Sequence, residues 1–182
     1  MIRLFDFIFS FIGILMLWPI GVLIYLLGLL DTGSPIFKQQ RVGRNKRPFV
    51  LYKFRTMSVN TKSVATHLSN RSSVTKLGSF LRKSKLDELP QLINVLKGEM
   101  SLVGPRPNLY NQTELISERT KRGIYNSVPG ITGLAQINKV DMSTPVKISE
   151  MDFEMLNTLT LGKYFKYIFA TIAGKGSGDR IK

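Results

Sequence analysis

Two acids, Asp87 and Glu88, stand side by side in a chain otherwise rich in Lys and Arg. A carboxylate can serve as a covalent nucleophile toward phosphorus, and adjacent carboxylates can share a divalent cation with phosphate oxygens. The pair comes just before Pro90 and a helical pattern in which Leu89, Leu92, Ile93 and Leu96 fall on one face. Pro is tolerated in a first helical turn because its missing N–H would be unpaired there anyway, and Gly98 stands where a helix commonly ends. The acids therefore flank a helix N-terminus, which attracts anions. Simple capping charges occupy the same position, and spacing alone does not separate the two readings.

Several cations are placed to serve those acids. Lys53 and Arg55, two residues apart in YKFRTM (52–57), project to one face of a strand, to bind phosphate or to position the strand. Residues 77–83 predict a short helix presenting Arg82 toward the acids. Arg106 is held between Pro105 and Pro107 in MSLVGPRP (100–107). Its guanidinium is a planar fork for phosphate oxygens, or else pairs with Asp87, Glu88 or Glu99. PGITGLAQIN (129–138) combines Gly and Pro turn chemistry with small residues, suited to close approach to a nucleotide or to packing under a site. His67, the one histidine, lies in a polar stretch (58–75) without apolar periodicity and reads as a solvated side chain in a loop. The absence of Cys excludes thiol catalysis and disulfides. GKGSG (174–178) lacks the spacing of a phosphate-binding loop and reads as a tail.

The elements that must position these residues begin with residues 7–30, 24 residues without a charge. As a straight helix they would reach roughly 36 Å, enough to cross a hydrocarbon core of about 30 Å. Pro19 divides the stretch and removes one helical hydrogen bond. A slight bend at Trp18-Pro19 gives a span; a sharp one returns both arms to the same face. Ile36–Val42 and Pro48–Phe54 predict a hairpin across Gly43-Arg44-Asn45. Residues 108–122 predict a surface helix with Glu118 and Arg122 at ion-pair spacing. Residues 146–159 and 161–173 predict two more helices, the last mixing aromatic residues with Lys163 and Lys166, which suits a membrane interface or a core. The result is a mixed α/β unit, compact and about one domain in size. A net charge of +14 calls for an anionic partner: nucleic acid, an anionic membrane or a phosphorylated substrate.

LDELPQLINVLKGEMSLVGPRP (86–107), with YKFRTM before it and PGITGLAQIN after it, resembles the bacterial sugar transferase family, the monotopic phosphoglycosyl transferases that initiate polyprenol-linked glycan assembly. The resemblance implies a re-entrant helix-break-helix at Trp18-Pro19 within a membrane segment of residues 1–34. A catalytic domain (35–173) would follow on the cytoplasmic face of the bacterial inner membrane, with amphipathic interfacial helices and a flexible tail (174–182). It implies transfer of a phospho-sugar from a UDP-sugar, by analogy an N-acetylated amino sugar, to polyprenol (undecaprenyl) phosphate with release of UMP. That step opens surface glycan synthesis, with Asp87 as nucleophile and Mg²⁺ as cofactor. Glu88 would bind the metal with Asp87 or handle a proton, and Lys53, Arg55, Arg82, Arg106 and Gln136 would bind substrate. Many members carry Gly-Arg after the Asn of the last motif, where this chain has Lys139-Val140-Asp141; Lys139 is the expected substitute. Asp152 matches a family acid, but Met155 replaces the tyrosine usual three residues later. Its partners would be the two substrates and membrane lipid, not nucleic acid. The rival reading is a non-enzymatic, membrane-anchored basic module binding nucleic acid or anionic lipid.

Overall fold

A computed structural model describes residues 1–61 and 73–176; His67 and most of the 58–75 stretch lie outside the described residues, as do the last residues of the expected tail. Helix α1, Ile2–Thr32, carries the apolar stretch and is inverted relative to a soluble helix. Its buried positions are Asp6, Ser10, Ile24 and Gly28, whereas Phe7, Phe11, Leu15, Trp18 and Leu26 are exposed. Such a contiguous outward apolar surface matches hydrocarbon rather than water. The helix is long and apolar enough to cross a membrane. It runs through Pro19 without interruption, so the expected helix-break-helix is one continuous helix. A proline removes one hydrogen bond and crowds one carbonyl, which bends a helix without ending it when both arms are strongly helical. α1 ends at Gly33, whose φ of 70° and N–H to the Leu29 carbonyl close the last turn.

The hairpin forms as the sequence predicts, β1 (Ile36–Val42) antiparallel to β2 (Pro48–Phe54), with Val42 opposite Pro48. A 3-10 turn, Arg44–Lys46, joins them, and the left-handed residues are Asn45 and Lys46 rather than Gly43. Helix α2 (Lys76–Ser84) starts at Thr75, whose side chain accepts from the Gly78 N–H. A 3-10 turn (Leu86–Glu88) then leads to α3 (Gln91–Leu96), which ends before Gly98 at φ 84°.

A second, parallel pair joins β3 (Ser101–Val103) to β4 (Gly130–Thr132). By sequence, Gly130–Thr132 reads as turn chemistry and Ser101–Val103 carries no strand signal, because three residues offer no alternation to detect. Their glycines serve the pairing: a Cβ on Gly104 would lie 2.8 Å from the Gly130 nitrogen. The motif glycines thus let two backbones meet under the site. Helices α4 (Thr113–Lys121), α5 (Leu134–Ile137), α6 (Pro145–Thr158) and α7 (Leu161–Ile172) complete the body. Phe49, Leu51, Val95 and Met100 form one core cluster, and Val103, Met155, Tyr164 and Tyr167 a second, where Met155 fills the expected tyrosine's place with apolar bulk. α1 lies along this body from end to end. Arg3 donates to the Met100 and Leu96 carbonyls at its start, and Ile24 packs with Phe54 and Leu81 toward its finish.

Candidate active site

Asp87 and Glu88 occupy the 3-10 turn ahead of α3. The turn is entered through Lys85 in the left-handed region at φ 59°, which reverses the chain after α2 and turns the acids inward. Asp87 is 5% exposed. Oε1 of Glu88 receives Lys53 Nζ from β2 at 3.2 Å and faces Arg106 Nη2 at 3.6 Å. Strand, turn and GPRP loop therefore converge on one carboxylate. Lys53 is buried and Arg106 part-exposed, with side chains 10% and 21% accessible.

The other expected residues divide. Arg82 reaches from α2 to Thr56, its Nε donating to Oγ1 at 2.8 Å. Arg55 turns to the α1–β1 junction, where its Nε donates to the Ser34 carbonyl at 2.7 Å and its guanidinium lies 5.5 Å from the Phe37 ring centroid. It does not join Lys53 on Glu88, because β2 ends at Phe54 and the alternation of a strand no longer governs position 55. Gln136 sits on α5 with both side-chain amide atoms buried and without a hydrogen-bond partner. Lys139 follows α5, exposed, with φ 61°.

Two features of the site were not anticipated. Lys85 Nζ donates to the Thr171 and Lys175 carbonyls at 3.1 and 2.8 Å, tying the end of α7 and the first tail residues to the turn that holds the acids. Burial pushes its ammonium below the usual lysine range; Glu88 opposes that shift and Arg106 adds to it. The second is a buried charge network behind the GPRP loop. Arg119, 2% exposed on α4, pairs with Asp152 on α6 at 2.6 Å and donates to the Arg106 carbonyl at 2.8 Å and Asn108 Oδ1 at 3.0 Å. Tyr125 donates to the same Asn108 oxygen at 3.0 Å. Burial raises the Asp152 carboxyl above its usual range, and the Arg119 guanidinium opposes that rise. Arg119 thus fixes the backbone from which Arg106 reaches Glu88. Helix α4 is accordingly not only the surface helix expected; its one clue is Arg119 four residues after Leu115, on the same helical face.

Among the described residues no three of His, Cys, Asp and Glu gather to hold a metal. Two adjacent carboxylates still suit Mg²⁺, which takes one or two protein carboxylates and completes its shell with water and substrate phosphates. The Asp87–Glu88 pair, with Lys53 and Arg106 on Glu88, lies in a body that also carries a long apolar helix. The family model described as bacterial sugar transferase matches residues 1–175, and the chain belongs to that family. EpsL, an uncharacterized sugar transferase of Bacillus subtilis, is 43% identical over 156 residues, covering 82% of this chain and 74% of its own length. A UDP-glucose:undecaprenyl-phosphate glucose-1-phosphate transferase of Escherichia coli is 37% identical over 177 residues, 92% of this chain but 38% of that protein. An undecaprenyl-phosphate galactose phosphotransferase of Salmonella typhimurium is 37% identical over 164 residues, 79% of this chain and 34% of that protein. The chain therefore spans little more than a third of the length of these last two relatives.

Proposed function

We propose that this chain is a phosphoglycosyl transferase that moves a sugar-1-phosphate from a UDP-sugar to polyprenyl phosphate and releases UMP. The observation that carries the reading is the buried Asp87 beside a Glu88 flanked by Lys53 and Arg106, in a chain of this family. An oxygen of the Asp87 carboxylate attacks the phosphorus bearing the sugar. The bond from that phosphorus to the bridging oxygen breaks, and UMP departs with the electron pair. A phosphate oxygen of the polyprenyl phosphate then attacks the same phosphorus, the Asp87–phosphorus bond breaks, and the carboxylate is restored. Lys53 and Arg106 hold the diphosphate oxygens while Glu88 orients both cations. Mg²⁺ held by Asp87 and Glu88, when bound, neutralises charge on the diphosphate. Arg82, Gln136 and Lys139 serve the donor's remaining groups, and Arg55 serves it through the strand end that it fixes.

The contacts of α1 support a placement at the membrane surface. Asp6 and Gly28, separated by roughly 33 Å of helix, are both buried against the same body. This supports a monotopic arrangement in which both ends stay at the cytoplasmic face of the inner membrane and the middle dips into it. Phe80, Phe169 and Ile172, exposed on α2 and α7, would add interfacial contacts. The non-enzymatic basic module is not favoured, since charge and an apolar helix alone do not account for a family match over residues 1–175.

Asp87→Asn is expected to lower Mg²⁺-dependent UMP release by at least roughly a thousandfold, as loss of a nucleophile does. Intact mass should show a phospho-sugar adduct on the parent protein that maps to Asp87; full activity in the variant, or an adduct elsewhere, removes the assignment. A donor panel of UDP-glucose, UDP-galactose and UDP-N-acetyl amino sugars identifies the sugar.

A further inference from the structure

The carbonyls of residues 105–108 each accept a hydrogen bond from a different residue. The Gly130 N–H on β4 donates to Pro105 at 2.8 Å, and Arg119 Nη1 on α4 to Arg106 at 2.8 Å. Arg41 Nη1 on β1 donates to Pro107 at 3.2 Å, and the Val42 N–H to Asn108 at 3.0 Å. Proline at 105 and 107 leaves the segment without two N–H groups of its own, so it is fixed from outside. Behind it, the space lined in part by Val42, Pro105, Pro107 and Arg119 is about 10 Å³, room for no more than one water. Arg41 is itself steadied, since its Nη2 donates to Oε1 of the buried Gln39.

We infer that Arg41, held by Gln39, is a positioning residue for the phosphate site: it fixes the GPRP backbone so that Arg106 meets the donor's diphosphate opposite Lys53. The inference rests on the proposed function and gives the hairpin a second task in it. Lys53 stands opposite Phe37 and Arg41 opposite Phe49, so Lys53 and Arg41 lie on one face of the hairpin, four strand residues or about 13 Å apart. One end of that face brings Lys53 to Glu88 directly. The other end sets Arg106, which faces the same Glu88, through the carbonyl of Pro107. A single two-stranded element thus governs the spacing of both cations. Arginine suits the task because its planar fork reaches the Pro107 carbonyl and the Gln39 amide oxygen at once. A guanidinium whose backbone is already fixed needs less ordering when the diphosphate binds and reacts.

In the full chain in lipid nanodiscs, Arg41→Gln should lower kcat/KM for UDP-sugar about tenfold, the factor for losing one charge-assisted hydrogen bond. Arg106→Gln should cost more, and Arg41→Gln added to it should cost less than about twofold further, because Arg41 acts through Arg106. Arg41→Lys, which keeps a donor for the Pro107 carbonyl, should recover activity to within about threefold of the parent. Losses that multiply in the double variant reduce Arg41 to a structural residue and overturn the inference, as does full activity in Arg41→Gln. Hydrogen exchange reads the same mount without turnover. In Arg41→Gln the Val42 and Gly130 amides, which donate to the segment, should exchange about tenfold faster, and unchanged protection overturns the inference. Should Arg41→Gln fail to fold, Gln39→Ala leaves Arg41 in place but unsteadied and carries the same comparisons, with a loss of about threefold. If the parent protein releases no UMP from any UDP-sugar, the proposed function fails, while the exchange rates still decide whether Arg41 holds the loop.

Discussion

Helices α1 and α4 each bury a charge and turn opposite faces outward. On α1, Asp6 points inward, where Ser101 Oγ, the Leu102 N–H and Tyr164 Oη donate to it at 3.0, 2.9 and 2.8 Å, while Phe7, Phe11 and Leu15 face out. On α4, Arg119 points inward to Asp152, Asn108 and the Arg106 carbonyl, while Glu114 and Lys121 face out. Both interiors obey one rule, that a buried charge persists only with partners. The exteriors differ in kind: charged and polar groups that suit water on α4, and apolar side chains that suit hydrocarbon on α1. Asp6 is held by neutral donors, and burial together with the neighbouring carboxylate pushes the Tyr164 hydroxyl far above its usual range, so it stays protonated and donating. Arg119 is held by a counter-charge. One network locks the apolar helix α1 onto β3 and α7; the other locks the GPRP loop that presents Arg106.

The sharpest way to break the comparison is to leave one charge alone. Asp152→Ala leaves the buried Arg119 guanidinium without its counter-charge and should cost about 3–5 kcal/mol, read as a large fall in thermal unfolding temperature in detergent. A small change would mean that water reaches Arg119. Next, Leu15→Asp tests the exterior of α1. Its penalty of about 2.5–3.5 kcal/mol should fall on membrane partitioning, measured by flotation with liposomes. A variant that floats like the parent would place that face outside the hydrocarbon. The smallest effect is expected for Ser101→Ala, which removes one of the three donors to Asp6 and should cost about 1.5–3 kcal/mol, the worth of a hydrogen bond to a charged group. It should appear as faster hydrogen exchange in α1 and at Leu102, whereas unaltered protection would show that the helix is held by its apolar contacts alone.

Much of the molecule was legible in residue order. The hairpin strands showed themselves by their two short stretches and the turn between them, and α6 and α7 as helical stretches. The acids stood out as a pair before a proline-led helix, and the apolar stretch by its lack of charge. Other features had no local trace. β3 and β4 are too short to show a period, so their glycines read as turns until the two backbones were seen to meet. Arg55 shares a face with Lys53 only if strand alternation runs past Phe54, where β2 ends. Arg119 looked like one more charge on a basic surface.

What residue order determined by itself was the set of local elements, the anionic pair and an uncharged apolar stretch long enough to cross a membrane, because each depends on neighbours within a few positions. The tertiary structure decided which charges meet. Lys53 and Glu88 lie 35 residues apart and Arg119 and Asp152 lie 33 apart. It also decided that the polar side of α1 faces the protein and its apolar side faces outward. Such pairings follow from how whole elements pack around buried charge, and no local periodicity encodes the distance between two elements or the face that each presents.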